Sequence, residues 1–353
     1  MDIPLKMKAA ILVELGKELV VDEVELPERL EPGQVLVKVL YSGICGSQIG
    51  EINGVKGEDR FLPHLLGHEG SGEVVETGPG VRNVSAGDRV VMHWRKGPGI
   101  DAAPPLYSWK GRRLNAGFVT TFNQYAVVSE NRLTKLPEGL PMDIAPLMGC
   151  AVTTGLGVIN NNAGVKIGES VVVLGAGGVG LNIVQGAFMC SADPVVAVDI
   201  FDNRLEMALK FGATHLINSG KESCLEDKIR EITGPSGADV VIDNTGSTEM
   251  INLAYRLTKP DGRTILVGVP KKGDNISIYS LELHFGKIIT GSHGGEAEPA
   301  RDIPRYASLY RKGRLKLNEL VTDRFCLDDI NIAIEKMKTG QTSGRCLISL
   351  HDL

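Results

Sequence analysis

Short runs of apolar, mostly β-branched residues recur through the first 130 positions. The runs at 35–39 (Val-Leu-Val-Lys-Val), 72–75, 89–91 and 125–128 are separated by Gly, Pro and Asp, and they predict strands joined by turns. Between 96 and 118 the pattern fails. Gly97-Pro98-Gly99, Pro104-Pro105 and Lys110-Gly111-Arg112-Arg113 predict a long loop. Near Gly168 the texture changes. Residues 171–174 are wholly apolar, as expected of a parallel strand buried on both faces, and helix-spaced Leu181, Val184, Ala187 and Phe188 follow. Strands are predicted again at 195–198, 238–242 and 263–267, with helical patterning between them. Asp202 is placed to cap one helix and Gly212 to stop it. Strand and helix alternating over more than 100 residues imply an open parallel sheet covered on both faces. From about Asp302 the tail reads as amphipathic helix and short strand.

Composition narrows the class. The chain has 353 residues, a length that suggests two domains, and its 42% hydrophobic content supports a sizeable core. A formal charge of −5 excludes the basic footprint of a nucleic-acid binder. Residues 1–6 have no basic-then-apolar leader pattern, and the apolar run 171–184 is interrupted by glycines and too short to span a bilayer. The six cysteines, at 45, 150, 190, 224, 326 and 346, lack the spacing of a disulfide framework. The expectation is a cytoplasmic, reduced chain with no membrane or nucleic-acid partner. Glycine, at 43 residues, is in excess, which marks tight turns and close backbone approaches to ligand.

One such approach is legible. Gly175-Ala176-Gly177-Gly178-Val179-Gly180 follows the apolar strand and opens a helix. Gly175 permits the turn, Gly177 lets backbone N–H groups reach a pyrophosphate, and Gly180 lets helix pack on strand. Asp199 ends the next strand, where a carboxylate accepts hydrogen bonds from the adenosine ribose and repels a 2′-phosphate. NAD is favoured over NADP.

Three further stretches carry candidate chemistry: 43–47 (Gly-Ile-Cys-Gly-Ser), 67–70 (Gly-His-Glu-Gly) and 148–155, which contains Cys150. Each is bland alone, since a lone cysteine is commonly a small buried hydrophobe. Two thiolates and an imidazole together fit catalytic zinc, with a fourth position left open.

In order and spacing, Cys45, the run Gly67-His68-Glu69-Gly70-Ser71-Gly72, Cys150 and the 175–180 fingerprint resemble the medium-chain, zinc-containing alcohol dehydrogenases. The resemblance covers essentially the whole chain, including Gly87-Asp88-Arg89-Val90 and Gly344-Arg345. It implies an α/β architecture: a GroES-like, β-rich catalytic domain over 1–154, a doubly wound Rossmann domain over 155–294, and a return to the catalytic domain over 295–353. Its implied metal ligands are Cys45, His68 and Cys150, with Glu69 behind the ion as alternate ligand. It implies catalytic roles for Ser47, which takes the alcohol's proton, for Glu69, and for Thr154 near the nicotinamide. Cofactor binding would fall to Gly175, Gly177, Gly178, Val179, Gly180 and Asp199, to Arg204 near the ribose and to Arg345 near the pyrophosphate. Trp94 aligns with a substrate-pocket residue. A homodimer is implied, or a tetramer, with 276–279 and 288–290 extending the sheet across a two-fold axis.

Three departures stand out. The family's structural zinc uses four closely spaced cysteines, and the 94–118 segment has none, so one catalytic zinc per chain is expected. That segment instead carries Arg95, Lys96, Lys110, Arg112 and Arg113, which form either an anion site or a solvated face. Gln48 replaces an Asp that orients the ligand histidine, and it could still accept the imidazole N–H. Gly50 replaces the histidine ending the proton relay. His64 and His93, nearby in sequence, read as structural histidines, and Cys190, Cys224, Cys326 and Cys346 as packing residues.

The leading expectation is a zinc- and NAD-dependent dehydrogenase of an alcohol. The enzymatic alternative acts on S-hydroxymethyl thiol adducts or on sugars and polyols. The non-enzymatic alternative is an NAD-binding protein without turnover.

Overall fold

The computed structural model describes residues 5–351. They form two compact units, one of residues up to 150 together with those from 298 onward, the other of 151–297. These divisions fall a few residues from the expected ones for steric reasons. Helix α2 (Ala151–Gly157) follows helix α1 (Gly46–Ile52) in the chain and packs on helix α3 (Gly178–Met189) through Gly155. A Cβ on Gly155 would lie 2.5 Å from the Asn182 Cβ, and one on Gly157 would lie 2.4 Å from the Gly295 carbonyl oxygen. Residues 151–154 and 295–297 therefore belong with the second unit.

The first unit is built on two sheets. The larger has seven strands, with Gln34–Gly43 paired to Glu69–Thr77, Tyr125–Ser129 and Arg345–Ser349. Alternation works as strand geometry requires. Val35, Val37 and Val39 face one core with Val74, Val90 and Met92, while Leu36 faces a second core with Ile11 and Val127. The C-terminal strand returns to this sheet antiparallel, with Leu347 opposite Gly43 and Ile348 opposite Ser42. Ser42 also faces Gly70 on the other side. The ends of three strands, far apart in sequence, thus meet at one edge.

The 96–118 segment is not wholly a loop. Tyr107–Trp109 and Arg112–Leu114 form a hairpin that joins the five-stranded sheet. Its turn residues Lys110 and Gly111 both have positive φ, 51° and 70°, which suits a tight hairpin turn. The strands are only three residues long and arginine-rich, so their alternation was too brief to read. The Glu130 carboxylate anchors the rest of the segment by accepting N–H bonds from Arg82, Asn83 and Ile100. Lys96 and Lys110 pair with Asp101 and Asp22.

The second unit has six parallel strands in the order His215–Asn218, Val195–Asp199, Val171–Leu174, Ala238–Asp243, Thr258–Leu266 and Ile288–Gly291. This is the doubly wound order of dinucleotide-binding sheets, and the connection reverses beside Val171–Leu174. Residues 276–279 are not a strand. Asp202 does not cap its helix: it is the first residue of helix α4 (Asp202–Lys210), and its carboxylate bonds Asn218 and Lys221 instead. Of the four cysteines read as packing residues, only Cys346 is buried. Cys190 is half-buried, and Cys224 and Cys326 are exposed.

Candidate active site

Cys45 lies just beyond the Gln34–Gly43 strand, at the start of α1. His68 immediately precedes the Glu69–Thr77 strand, and Cys150 ends the turn Ala145–Gly149. Two glycines allow this convergence. A Cβ on Gly149 would sit 2.3 Å from the Met92 carbonyl oxygen and 3.0 Å from the Glu69 Cα. Gly67 has φ +90°, and a Cβ there would lie 2.8 Å from the Phe122 nitrogen.

The result is a compact donor set. The Cys45 and Cys150 sulfurs are 3.9 Å apart, and one ligand atom from each of Cys45, His68 and Cys150 lies within 4.8 Å of the others. Two thiolates on one tetrahedral zinc, each about 2.3 Å from the ion, stand about 3.8 Å apart. His68 Nε2 is buried without a hydrogen-bond partner, as befits an atom whose partner is an ion. The electrostatics favour a thiolate. A hydrogen bond from Cys150, with Arg345 and His68 nearby, holds Cys45 well below the ordinary thiol range despite its burial. Cys150, facing that thiolate, is pushed up. These residues fit a zinc ion.

Glu69 is not in that donor set. Its carboxylate meets the Arg345 guanidinium, with Nη2 2.7 Å from Oε1 and 2.8 Å from Oε2. Arg345 Nη1 donates to the Ile44 carbonyl at 2.9 Å. Arg345, expected at the pyrophosphate, is instead 2% exposed and committed to the residue beside the candidate ligand His68. The cause is topological, because pairing of Arg345–Ser349 with Gln34–Gly43 brings its first residue next to the Glu69 strand. Burial of a charge demands such a partner. Its sequence signal was a single arginine opening an apolar strand, where a charge has no solvent to face.

Gln48 also differs from expectation. Its Oε1 accepts the Gly67 N–H at 2.6 Å, so it steadies the backbone before the ligand histidine. Ser47 is half-buried on α1. A Cβ on Gly50 would meet only Val55, at 3.7 Å, so a β-carbon fits at this position. Trp94 packs against the core of its own unit, with the Arg95 guanidinium 5.8 Å from its ring centre. His93 is a structural histidine: its ring bonds the Arg95 carbonyl and Thr134, and burial lowers it to about 4.

In the second unit the glycine turn has the required shape. Gly175 has φ +94°, and a Cβ on Gly180 would lie 2.0 Å from the Gly175 carbonyl oxygen. Gly177 faces open space at the start of α3, and Gly178 and Val179 open that helix with their N–H groups at its positive end. Asp199 Oδ2 accepts the Ala176 N–H at 2.8 Å, Oδ1 accepts the Phe201 N–H, and Arg204 Nη1 lies 3.8 Å away. The carboxylate thus braces the turn, a role the sequence did not announce. Asp243 and Asn244 were missed altogether. Asp243 is fully buried and accepts bonds from Thr245 and the Gly246 N–H, while Asn244 Nδ2 donates to the Gly175 carbonyl. The signal was an acid ending an apolar strand, just as at Asp199. Thr154, on α2, has a buried hydroxyl without a hydrogen-bond partner.

Comparison with known proteins now decides the family. Residues 31–138 match the alcohol dehydrogenase GroES-like domain, and residues 178–311 match the zinc-binding dehydrogenase model. A protein of Paracoccus denitrificans named S-(hydroxymethyl)glutathione dehydrogenase is 32% identical across 96% of this chain and 98% of its own.

This chain belongs to the medium-chain, zinc-containing alcohol dehydrogenase family.

As a member it is a zinc-dependent, NAD-linked oxidoreductase of alcohols. Two solved structures share its fold. An alcohol dehydrogenase zinc-binding domain protein from Burkholderia ambifaria superposes with TM-score 0.89 at 29% identity, covering 98% of this chain and 99% of that one. Benzyl alcohol dehydrogenase from Acinetobacter calcoaceticus gives 0.87 at 28% identity, with the same coverage.

Proposed function

We propose that this dehydrogenase oxidises a primary or secondary alcohol to its carbonyl with NAD, using one zinc held by Cys45, His68 and Cys150. The observation that carries the reading is the convergence of these three ligand atoms within 4.8 Å. When bound, the ion supplies Lewis acidity that brings an alcohol's proton within reach of neutral pH. The chain's own residues do the rest. Ser47 Oγ takes the alcohol proton. Two sulfur ligands would offset the ion's charge, and Arg345 neutralises Glu69 beside His68. The glycine turn and the N-terminus of α3 would hold the pyrophosphate of NAD, Asp199 and Arg204 would address its adenosine ribose, and Thr154 would line the nicotinamide end.

A second substrate reading, an S-hydroxymethyl thiol adduct, is favoured by the name of the Paracoccus denitrificans relative. The basic 95–113 segment does not add to it, because Lys96 and Lys110 are already paired with carboxylates. We place the protein in a reducing compartment, the cytoplasm, on its four free cysteines outside the proposed zinc centre, two of them exposed. We also propose a homodimer formed through the Ile288–Gly291 edge strand. Ile288, Phe285 and Tyr279 are exposed along that edge, Phe285 to 72%.

The test is NADH formation across alcohols, polyols and S-hydroxymethyl thiols, with and without chelator. Chelator-sensitive turnover of simple alcohols supports the primary reading. Turnover confined to thiol adducts selects the second. No chelator-sensitive signal on any substrate contradicts both.

A further inference from the structure

Outside the cysteine–histidine centre, a second group of donors converges. Glu51, Asp59 and His64 each offer one ligand atom within 4.8 Å of the others. All three side chains are at least largely sequestered, with 28%, 15% and 8% exposure. Glu51 lies on α1, Asp59 in the following turn segment, and His64 opens the short strand that leads to the ligand His68.

The hydrogen bonding of His64 poses a specific chemical problem. Nδ1 lies 3.0 Å from the Leu65 carbonyl oxygen, which can only accept, so Nδ1 carries a proton. Nε2 then faces Asp59 Oδ2 at 2.9 Å. The contact is satisfied either by a proton on Nε2, giving an ion pair with Asp59, or by a cation bound beside the two atoms. A backbone carbonyl on Nδ1 is also the arrangement that orients a metal-binding histidine through Nε2. Glu51 brings a third donor, whose Oε2 receives only a long bond from Gln48, at 3.3 Å, and a distant, exposed Lys56 ammonium at 3.9 Å. Adjacent ligands on an ion with bonds of about 2.1 Å stand about 3–3.4 Å apart, so small side-chain adjustments suffice.

We propose that Glu51, Asp59 and His64 form a second, exchangeable divalent-cation site, distinct from the catalytic centre. Its donor set, two carboxylates and one imidazole, suits an oxygen-preferring divalent ion such as Mn2+ or Fe2+, with water completing the shell. It shares no residue with Cys45, His68 and Cys150, so it stands or falls independently of the proposed function. The expectation of one zinc per chain is unchanged, because the ion proposed here is not zinc. An ion here ties α1, which carries Ser47 and Gln48, to the strand that delivers His68.

The experiment is Mn2+ titration of the full-length protein reconstituted with one zinc per chain and freed of excess metal, with free Mn2+ read by electron paramagnetic resonance and thermal unfolding read in parallel. The site predicts one Mn2+ per chain and a raised melting temperature. Asp59→Asn and Glu51→Gln, which keep side-chain size, should each weaken binding at least tenfold, as should His64→Ala. Each should abolish the thermal shift while zinc content stays unchanged. No saturable Mn2+ binding to the wild type would show a protonated His64–Asp59 ion pair only and overturn the proposal. Equal binding by wild type and all three variants would overturn it too.

Discussion

Arg345 and Glu69, 276 residues apart in sequence, form an ion pair that is 2% and 0% exposed, directly beside His68, a proposed metal ligand. Removing one partner of such a pair strands a buried charge, typically at a cost of about 3–5 kcal/mol. Arg345→Met should therefore lower the denaturation midpoint sharply in urea. The double variant Arg345→Met/Glu69→Gln should recover much of the loss, because no charge is left unpaired. Additive losses would show that the two side chains do not act as a pair.

The glycine turn separates steric from ligand-binding roles. A Cβ on Gly180 would stand 2.0 Å from the Gly175 carbonyl oxygen, whereas one on Gly177 meets nothing within 4 Å. Gly180→Ala should destabilise the fold itself. Gly177→Ala should leave the melting temperature of the free protein near wild type and weaken NAD binding, as measured by calorimetry. Unchanged NAD affinity in Gly177→Ala would argue that no pyrophosphate sits there.

Asp199 combines two tasks, bracing the Ala176 N–H and presenting a carboxylate at the end of its strand. Hydrogen bonds to a charged group are worth about 1.5–3 kcal/mol. Asp199→Gly should thus narrow the preference for NAD over NADP by roughly 10- to 150-fold in kcat/KM, an energy difference expressed as a ratio. Some loss of NAD affinity should accompany it as the turn loosens. An unaltered cofactor ratio would remove Asp199 as the discriminator.

Asp239 gives the Rossmann sheet an acid-labile clasp. Burial would raise its carboxyl, but Lys259 at 2.5 Å and the Ser170 hydroxyl and N–H outweigh that and hold it down to about 2. The folded value lies below the ordinary 3.8. Its stabilisation, about 2 kcal/mol, is therefore full above pH about 4 and is lost as pH falls toward 2. Asp239→Asn should be less stable than wild type at neutral pH, with the difference shrinking on acidification. A difference independent of pH between 5 and 2.5 would contradict the assignment.

The strands of the Rossmann sheet were legible because each is a run of buried β-branched residues bounded by glycine or acid, as at 171–174 and 195–198. The candidate zinc ligands were legible because two cysteines and a histidine together fit catalytic zinc and lie in the order and spacing of the family, and Gly43, Gly67 and Gly149 near them occupy crowded positions. What escaped reading depends on contacts between distant segments. Arg345 finds Glu69 only through the return of the last strand, and the 107–114 hairpin is too short for its alternation to register. Gln48 looked able to meet an imidazole, but the Gly67 N–H lies nearer its oxygen. Asp243 was overlooked because a strand-ending acid is unremarkable until its three hydrogen bonds are seen.

The most direct test of the central claim compares metal content with turnover in wild type and Cys45→Ser. Wild-type protein should hold zinc at this centre and form NADH from an alcohol. Chelation or Cys45→Ser should abolish turnover while NAD still binds, as followed by calorimetry. Full activity in protein stripped of metal would contradict the account.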